Sequence, residues 1–195
     1  MSTINYLLIL ILWYSGITTQ IQKPRIYKFV TIPGSFLDVR GSTNINNFTC
    51  GVHNYSGTDT LTFQVAPATA NIKGTVLIQV EGFDCKLRGM TADLKRTLKS
   101  DRYPYLKMTF SNLKSAPSLT RAEVIEGAVN ITLVGVTKMF TINFQIQGNQ
   151  NDLTISGKRI VSFSDFKLTP PAKVGGMIQT NQELLVEFYL KLKKI

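Results

Sequence analysis

The chain has 195 residues, a formal net charge of +10, and 44% hydrophobic against 17% charged residues. That is the length of one compact domain with a single core, and the composition of neither a disordered chain nor a polytopic membrane protein. The basic balance, with a sequence pI near 9.7, favours anionic surroundings. It argues little for nucleic acid, because the densest basic stretch, Lys86 to Lys107, is accompanied by Asp84, Asp93 and Asp101.

The first element is apolar. Tyr6 to Trp13 (YLLILILW) is shorter than the roughly 20 residues a membrane-crossing helix needs. It reads as the h-region of a signal peptide, with small and polar residues from Ser15 to Gln20 where a peptidase could cut. No Lys or Arg precedes Lys23, so the usual charged n-region is missing; an uncleaved anchor and a buried first strand are the alternatives. The expected organisation is a signal peptide over 1–20 and a single domain over 21–195. Cys50 and Cys85 fit export as a candidate disulfide, worth about 3–4 kcal/mol on the chain-entropy model. Two separate buried thiols would satisfy the same sequence.

From there the recurrent signal is alternation of apolar and polar residues, the mark of half-buried strands. Leu61, Phe63 and Val65 alternate, as do Val76, Ile78 and Val80, then Leu106, Met108 and Phe110. Val129, Ile131 and Leu133 form the next face. Gly135 to Lys138 interrupt the pattern as a tight connection, and Phe140, Ile142, Phe144 and Ile146 resume it. Val161 and Phe163 follow, then Val186, Phe188, Leu190 and Leu192. Turn chemistry marks Ser56–Asp59, Gly148–Asp152, Ser156–Lys158, Pro170–Pro171 and Gly175–Gly176. One segment does not alternate: Thr91 reads as an N-cap, Asp93 sits in the first turn, and Leu94 and Leu98 share a face before Pro104, which predicts a short helix of about eight to ten residues.

The chemistry-bearing residues are few. With His53 as the single histidine, a multi-histidine metal site cannot be built and a His-based triad is hard to build. The cysteines are not in a C-x-x-C pair, and Ser156 to Ile160 (SGKRI) lacks the first glycine of a phosphate-binding loop. The sequons at Asn47, Asn54 and Asn130 are short enough to arise by chance. The reading is a non-enzyme without cofactor or metal. What remains is the set of apolar faces, which an antiparallel sheet must cover as a sandwich or a closed barrel; a barrel can be filled solidly or line a cavity for one hydrophobic ligand. The cavity candidates are Phe63, Ile78, Met108, Phe110, Ile131, Leu133, Phe140, Ile142, Phe144, Phe163, Phe188 and Leu190.

Leu94 to Lys114 (LKRTLKSDRYPYLKMTFSNLK) followed by Val129 to Ile146 (VNITLVGVTKMFTINFQI) resembles the YceI-like family. The shared marks are a short helix, an acidic residue before Tyr-Pro, an F-x-S strand and a strand closing in G-V-T-K. Val161 to Pro171 (VSFSDFKLTPP) and the ending LLVEFYLKLK are similar to the family's later segments, and the resemblance spans about Phe36 to Lys193. It implies an all-β fold: an extended, antiparallel, lipocalin-like barrel of about eight strands with one short helix packed against it. It also implies a variant that pairs Cys50 with Cys85, export to the bacterial periplasm, and a pocket for a polyisoprenoid or similar lipid. On that reading the apolar inner faces hold the chain, and Lys86, Arg88, Lys95 or Arg96 meets a phosphate-like headgroup near the mouth, with the membrane surface as a further partner. The alternatives are a structural or interaction protein with a filled barrel, and an enzyme acting on an envelope lipid.

Overall fold

A computed structural model describes residues 23–66, 69–149 and 151–195; the signal-like segment lies outside the described residues. The strands in chain order are β1 (Arg25–Thr31), β2 (Phe36–Ser42), β3 (Asn47–Val52), β4 (Thr60–Ala66) and β5 (Thr69–Gln79). After helix α1 (Arg88–Thr97) come β6 (Tyr105–Leu113), β7 (Glu123–Leu133), β8 (Val136–Gly148) and β9 (Asp152–Ser162). The short pair β10 (Ala172–Lys173) and β11 (Ile178–Gln179) precedes β12 (Glu183–Lys194). All pairings are antiparallel, in the order β1-β4-β5-β6-β7-β8-β9-β12, and β12 returns to β1 to close an eight-stranded barrel. Closure rests on one strand edge used twice. β1 pairs with the end of β12, from Phe29↔Lys194 to Thr31↔Leu192, and β2 pairs farther back, from Tyr189↔Phe36 to Leu185↔Arg40. β1 and β2 therefore act as one long strand bent at Ile32 to Ser35, with β3 added outside β2.

The alternation in sequence is the alternation of the wall. Phe140, Ile142, Phe144 and Ile146 are buried while Thr141, Asn143 and Gln145 are exposed, as period-two side-chain placement requires. The break between β7 and β8 is only two residues long. Val134 and Gly135, with φ of 49° and 77°, make the positive-φ turn that suits a two-residue hairpin, and Leu133 faces Val136 across it.

Three sequence expectations change. β1, β2, β3 and the first half of β5 carry too little strict alternation to be marked as strands, because edges, bends and a bulge between Ala70 and Gly74 interrupt the pattern. Ser156–Lys158 is not a turn but lies in mid-strand, with Gly157 opposite Phe188 in the β9–β12 ladder. A side chain there would sit 2.8 Å from Ile142 Cγ2 and 2.9 Å from the Phe188 ring, so the glycine makes room for an aromatic ring. Helix α1 begins at Arg88 rather than being capped by Thr91. Thr91 Oγ1 instead accepts a hydrogen bond from the Cys85 N–H at 2.9 Å. The helix ends in a Schellman arrangement, in which Ser100 N–H donates to Lys95 O, Lys99 N–H donates to Arg96 O, and Lys99 takes a φ of 51°.

Cys50 and Cys85 form a disulfide. Beside it, Gly51 and Asp84 exchange two backbone hydrogen bonds of 2.9 Å, so the segment leading into α1 is tied to β3 both covalently and by a β-bridge. α1 lies over one end of the barrel, with Met90, Leu94 and buried Leu98 packed against the core.

The wall has one weak place. The β8–β9 ladder covers only Gln145–Gly148 against Ser156–Leu153. Beyond that, β9 follows β12 up to Ser162↔Glu183 while β8 follows β7 to Leu133↔Val136, and the two strands part. The turn after β9 recrosses the gap at its far end, where the Phe166 and Phe140 rings lie 6.1 Å apart and Lys138 pairs with Asp165. The Lys138 ammonium and the Ser162 N–H, which donates to Asp165 Oδ2 at 2.9 Å, hold the Asp165 carboxyl below the usual carboxylate range.

Replacing both cysteines by alanine is expected to lower the unfolding free energy by about 3–4 kcal/mol, measured by urea denaturation; an unchanged midpoint would show that the crosslink does not stabilise the fold. A carboxyl whose folded value lies below its unfolded one adds stability that is complete above the unfolded value and is lost as pH falls through the folded one. Lys138→Met should therefore move the Asp165 titration up toward the ordinary aspartate range in carboxyl-carbon NMR. A midpoint that stays put would show that Lys138 is not the cause.

Candidate functional site

Inside the barrel, Phe110 from β6 and Phe188 from β12 reach from opposite walls to a centroid distance of 6.0 Å, and Phe144 from β8 joins them at 5.7 and 6.1 Å. This aromatic layer divides the interior. On one side, Leu61, Phe63, Ile72, Leu153, Ile155, Leu190 and Leu192 are buried and pack solidly, with Phe29 edge-on to Phe63 at 5.6 Å. On the other side lies an apolar chamber of about 70 Å³ with Phe188 in its floor, walled by Leu37, Leu106, Met108, Ile131, Ile142 and Val161.

The chamber continues outward. Val39, Leu94, Phe163 and Leu184 belong both to it and to a larger space of about 330 Å³ between α1, the β2–β3 hairpin and the segment from Pro171 to Thr180. These four side chains form a neck. The outer space falls at the lower edge of the roughly 300–1,000 Å³ typical of small-molecule sites, whereas the inner chamber has only about the volume of two waters. The turn of the hairpin is fixed to the outer segment, since Asn44 Nδ2 donates to Met177 O at 2.8 Å and Gln179 N–H donates to Asn44 Oδ1 at 3.0 Å. Around this mouth Ile45, Leu87, Val174 and Met177 are 60–69% exposed.

The structure divides the sequence-derived cavity candidates. Met108, Ile131, Leu133, Ile142, Phe163 and Phe188 line the chamber. Phe110 and Phe144 complete its floor layer, Phe63 belongs to the solid half, and Phe140 packs against Phe166 near the open seam. Ile78 and Leu190 border only a void of about 10 Å³.

None of the four headgroup candidates lines the chamber or its mouth. Lys95 pairs with Glu81 at 2.8 Å and Arg96 with Asp93 at 3.1 Å, while Lys86 and Arg88 are exposed beside Leu87. The charged groups at the site are others: Lys173, paired with Asp93 at the mouth, and Arg159, among the described residues the one charged side chain lining the inner chamber. Arg159 had a sequence signal, because it shares the inward phase of Leu153, Ile155, Gly157 and Val161; taking Ser156–Lys158 as a turn hid it. Lys173 lies in a connection without period and had none. Among the described residues no group of three or more His, Cys, Asp or Glu side chains could hold a metal.

The sequence matches the YceI-like domain over residues 18–192. No curated protein matches it significantly. Among solved structures it is similar to a polyisoprenoid binding domain from Saccharophagus degradans, at 10% identity and a TM-score of 0.63, over 88% of this chain and 100% of that one. BcnA of Burkholderia cenocepacia is similar at 16% identity and a TM-score of 0.62, over 80% of this chain and 94% of its own. The YceI protein of Campylobacter jejuni follows at 14% and 0.52, over 69% and 80%. At these identities the likeness is one of fold, and it agrees with the closed barrel and the one α-helix among the described residues. Together with the match over nearly the whole sequence, it establishes that the chain belongs to the YceI-like domain family.

Proposed function

We propose that this protein is an exported carrier that holds the apolar tail of an amphiphile, a polyisoprenoid or a similar lipid, in the chamber above the phenylalanine layer and the wider mouth it opens into. The observation that carries the reading is the continuity of an apolar chamber with a wider mouth through the neck of Val39, Leu94, Phe163 and Leu184. The polyisoprenoid binding domain of Saccharophagus degradans, which shares the fold, supports the ligand class, and the Cys50–Cys85 disulfide supports an oxidising compartment such as the periplasm. On this reading residues 1–20 are a leader and 21–195 the mature domain. The exposed Ile45, Leu87, Val174 and Met177 around the mouth suit collection or delivery at a membrane surface, where apolar side chains can enter the headgroup boundary. Binding is burial and needs no bond-making group.

A second reading, an interaction protein with a filled barrel, is favoured by one fact: half the interior is solid and the inner chamber is only about 70 Å³. One experiment separates the two. The purified protein is extracted with organic solvent, assayed for a stoichiometric lipid by native mass spectrometry, and titrated with a series of neutral prenyl and alkyl alcohols. The carrier reading expects affinity to rise by about 0.8 kcal/mol per methylene buried and to level off once chamber and mouth are full. A protein that extracts empty and binds no member of the series leaves the interaction reading.

A further inference from the structure

Arg159 occupies a place its strand pattern reserves for apolar residues. It faces inward with Ile155, Gly157 and Val161, lines the apolar chamber, and is nevertheless exposed. The reason is the open seam. Continuing the β8–β9 register would set Ile142 against Arg159 and Phe144 against Gly157, but no ladder joins the strands there. An outer groove of about 510 Å³ on the far side of this seam is lined by the same Ile142, Gly157 and Arg159, together with outward-facing residues such as Asn143, Lys158 and Glu187. The arginine stem thus runs along apolar surface while its guanidinium reaches water, as long cationic side chains do.

The surrounding acids are already matched, and Arg159 adds only a through-space contribution to the lowered Asp165 carboxyl. Of the acids along the groove, Glu187 pairs with Arg40 at 3.0 Å and Glu126 with Lys114 at 3.5 Å, and Asp165 at the top of the seam pairs with Lys138. Among the described residues neither Arg159 nor its outward neighbour Lys158 has an acidic partner within 4.0 Å. A guanidinium is a planar fork that grips a carboxylate or phosphate through two parallel hydrogen bonds. Placed where an apolar chamber meets solvent, it can hold an anionic group whose tail is buried.

The geometry points to Arg159 as the anchor for the anionic head of the bound amphiphile, held in the seam between β8 and β9 while the tail runs through the chamber and the neck into the wider mouth. This deepens the carrier reading and rests on it. It places the head at the side wall of the barrel, away from the α1 cations at its end, and names the ligand class as a single-chain lipid ending in a carboxylate or phosphate.

The test uses three probes of matched length: geranylgeranyl phosphate, a C16 fatty acid, and neutral geranylgeraniol, titrated into wild type, Arg159→Gln, Arg159→Lys and the Lys86→Gln/Arg88→Gln double variant. Wild type should bind at least one anion more tightly than the neutral alcohol. Arg159→Gln should weaken that anion by about ten- to a hundred-fold, leave the alcohol unchanged, and so certify an intact chamber. Arg159→Lys should restore part of the loss and the double variant should behave as wild type. Preference for the phosphate alone or for the fatty acid alone identifies the head. An anion preference that survives Arg159→Gln, or that the double variant abolishes, overturns the assignment and leaves the carrier reading standing. So does an equal loss for alcohol and anion. A wild-type protein that binds none of the three probes overturns both.

Discussion

Contact between phenylalanines from opposite walls decides what this barrel can do. Phe110 and Phe188 approach across the interior, and Phe144 completes the layer. An eight-stranded barrel is narrow enough for large inward side chains from facing strands to meet. Where they do, the interior is close-packed; where the inward residues are smaller or are displaced by α1 and its neighbours, space remains. The layer depends on an absence in turn, since Gly157 opposite Phe188 leaves room for the ring.

The open end is organised by fewer and more local devices. The disulfide and the Gly51–Asp84 bridge hold the start of α1 to β3, the Thr91 hydroxyl joins the same turn to the helix, and Leu94 carries that placement into the neck. Asn44 links the hairpin turn to the outer segment. The mouth is thus built from side-chain and backbone contacts between connections, while the barrel beneath it is built from ladders. Local opening is easier where backbone ladders are few, so any widening needed to admit a chain belongs to this end and to the β8–β9 seam.

The seam and the aromatic layer have complementary roles in the site. Below the layer, β8 and β9 are laddered and the barrel is closed and solid. Above it, the strands separate, held at the top by Lys138 and Asp165 and by Phe140 against Phe166. An apolar chamber with a lateral slit can place a tail and a polar end in different dielectric surroundings without a buried unpaired charge, which would be costly.

Much of the architecture was legible in residue order. Alternation over Leu106–Phe110, Val129–Leu133, Phe140–Ile146 and Val186–Leu192 marked strands with one dry face, and the structure pairs them in one antiparallel sheet. Leu94 and Leu98 marked the helix, although its start lies before Thr91. β1 to β3 were not legible, because β1 and β2 are placed by sharing the edge of β12 and β3 by pairing with β2 rather than by a strict period. The sequence by itself thus determined which residues face inward in the strands whose period it marked, since side-chain direction in a strand follows from position alone. Only the tertiary structure decided which of these fill the barrel and which border its chamber, and that Arg159, at an inward phase, reaches water through the wall. Packing across a barrel depends on strands far apart in sequence, and a seam on where two ladders diverge; neither is recorded in the period of any single strand.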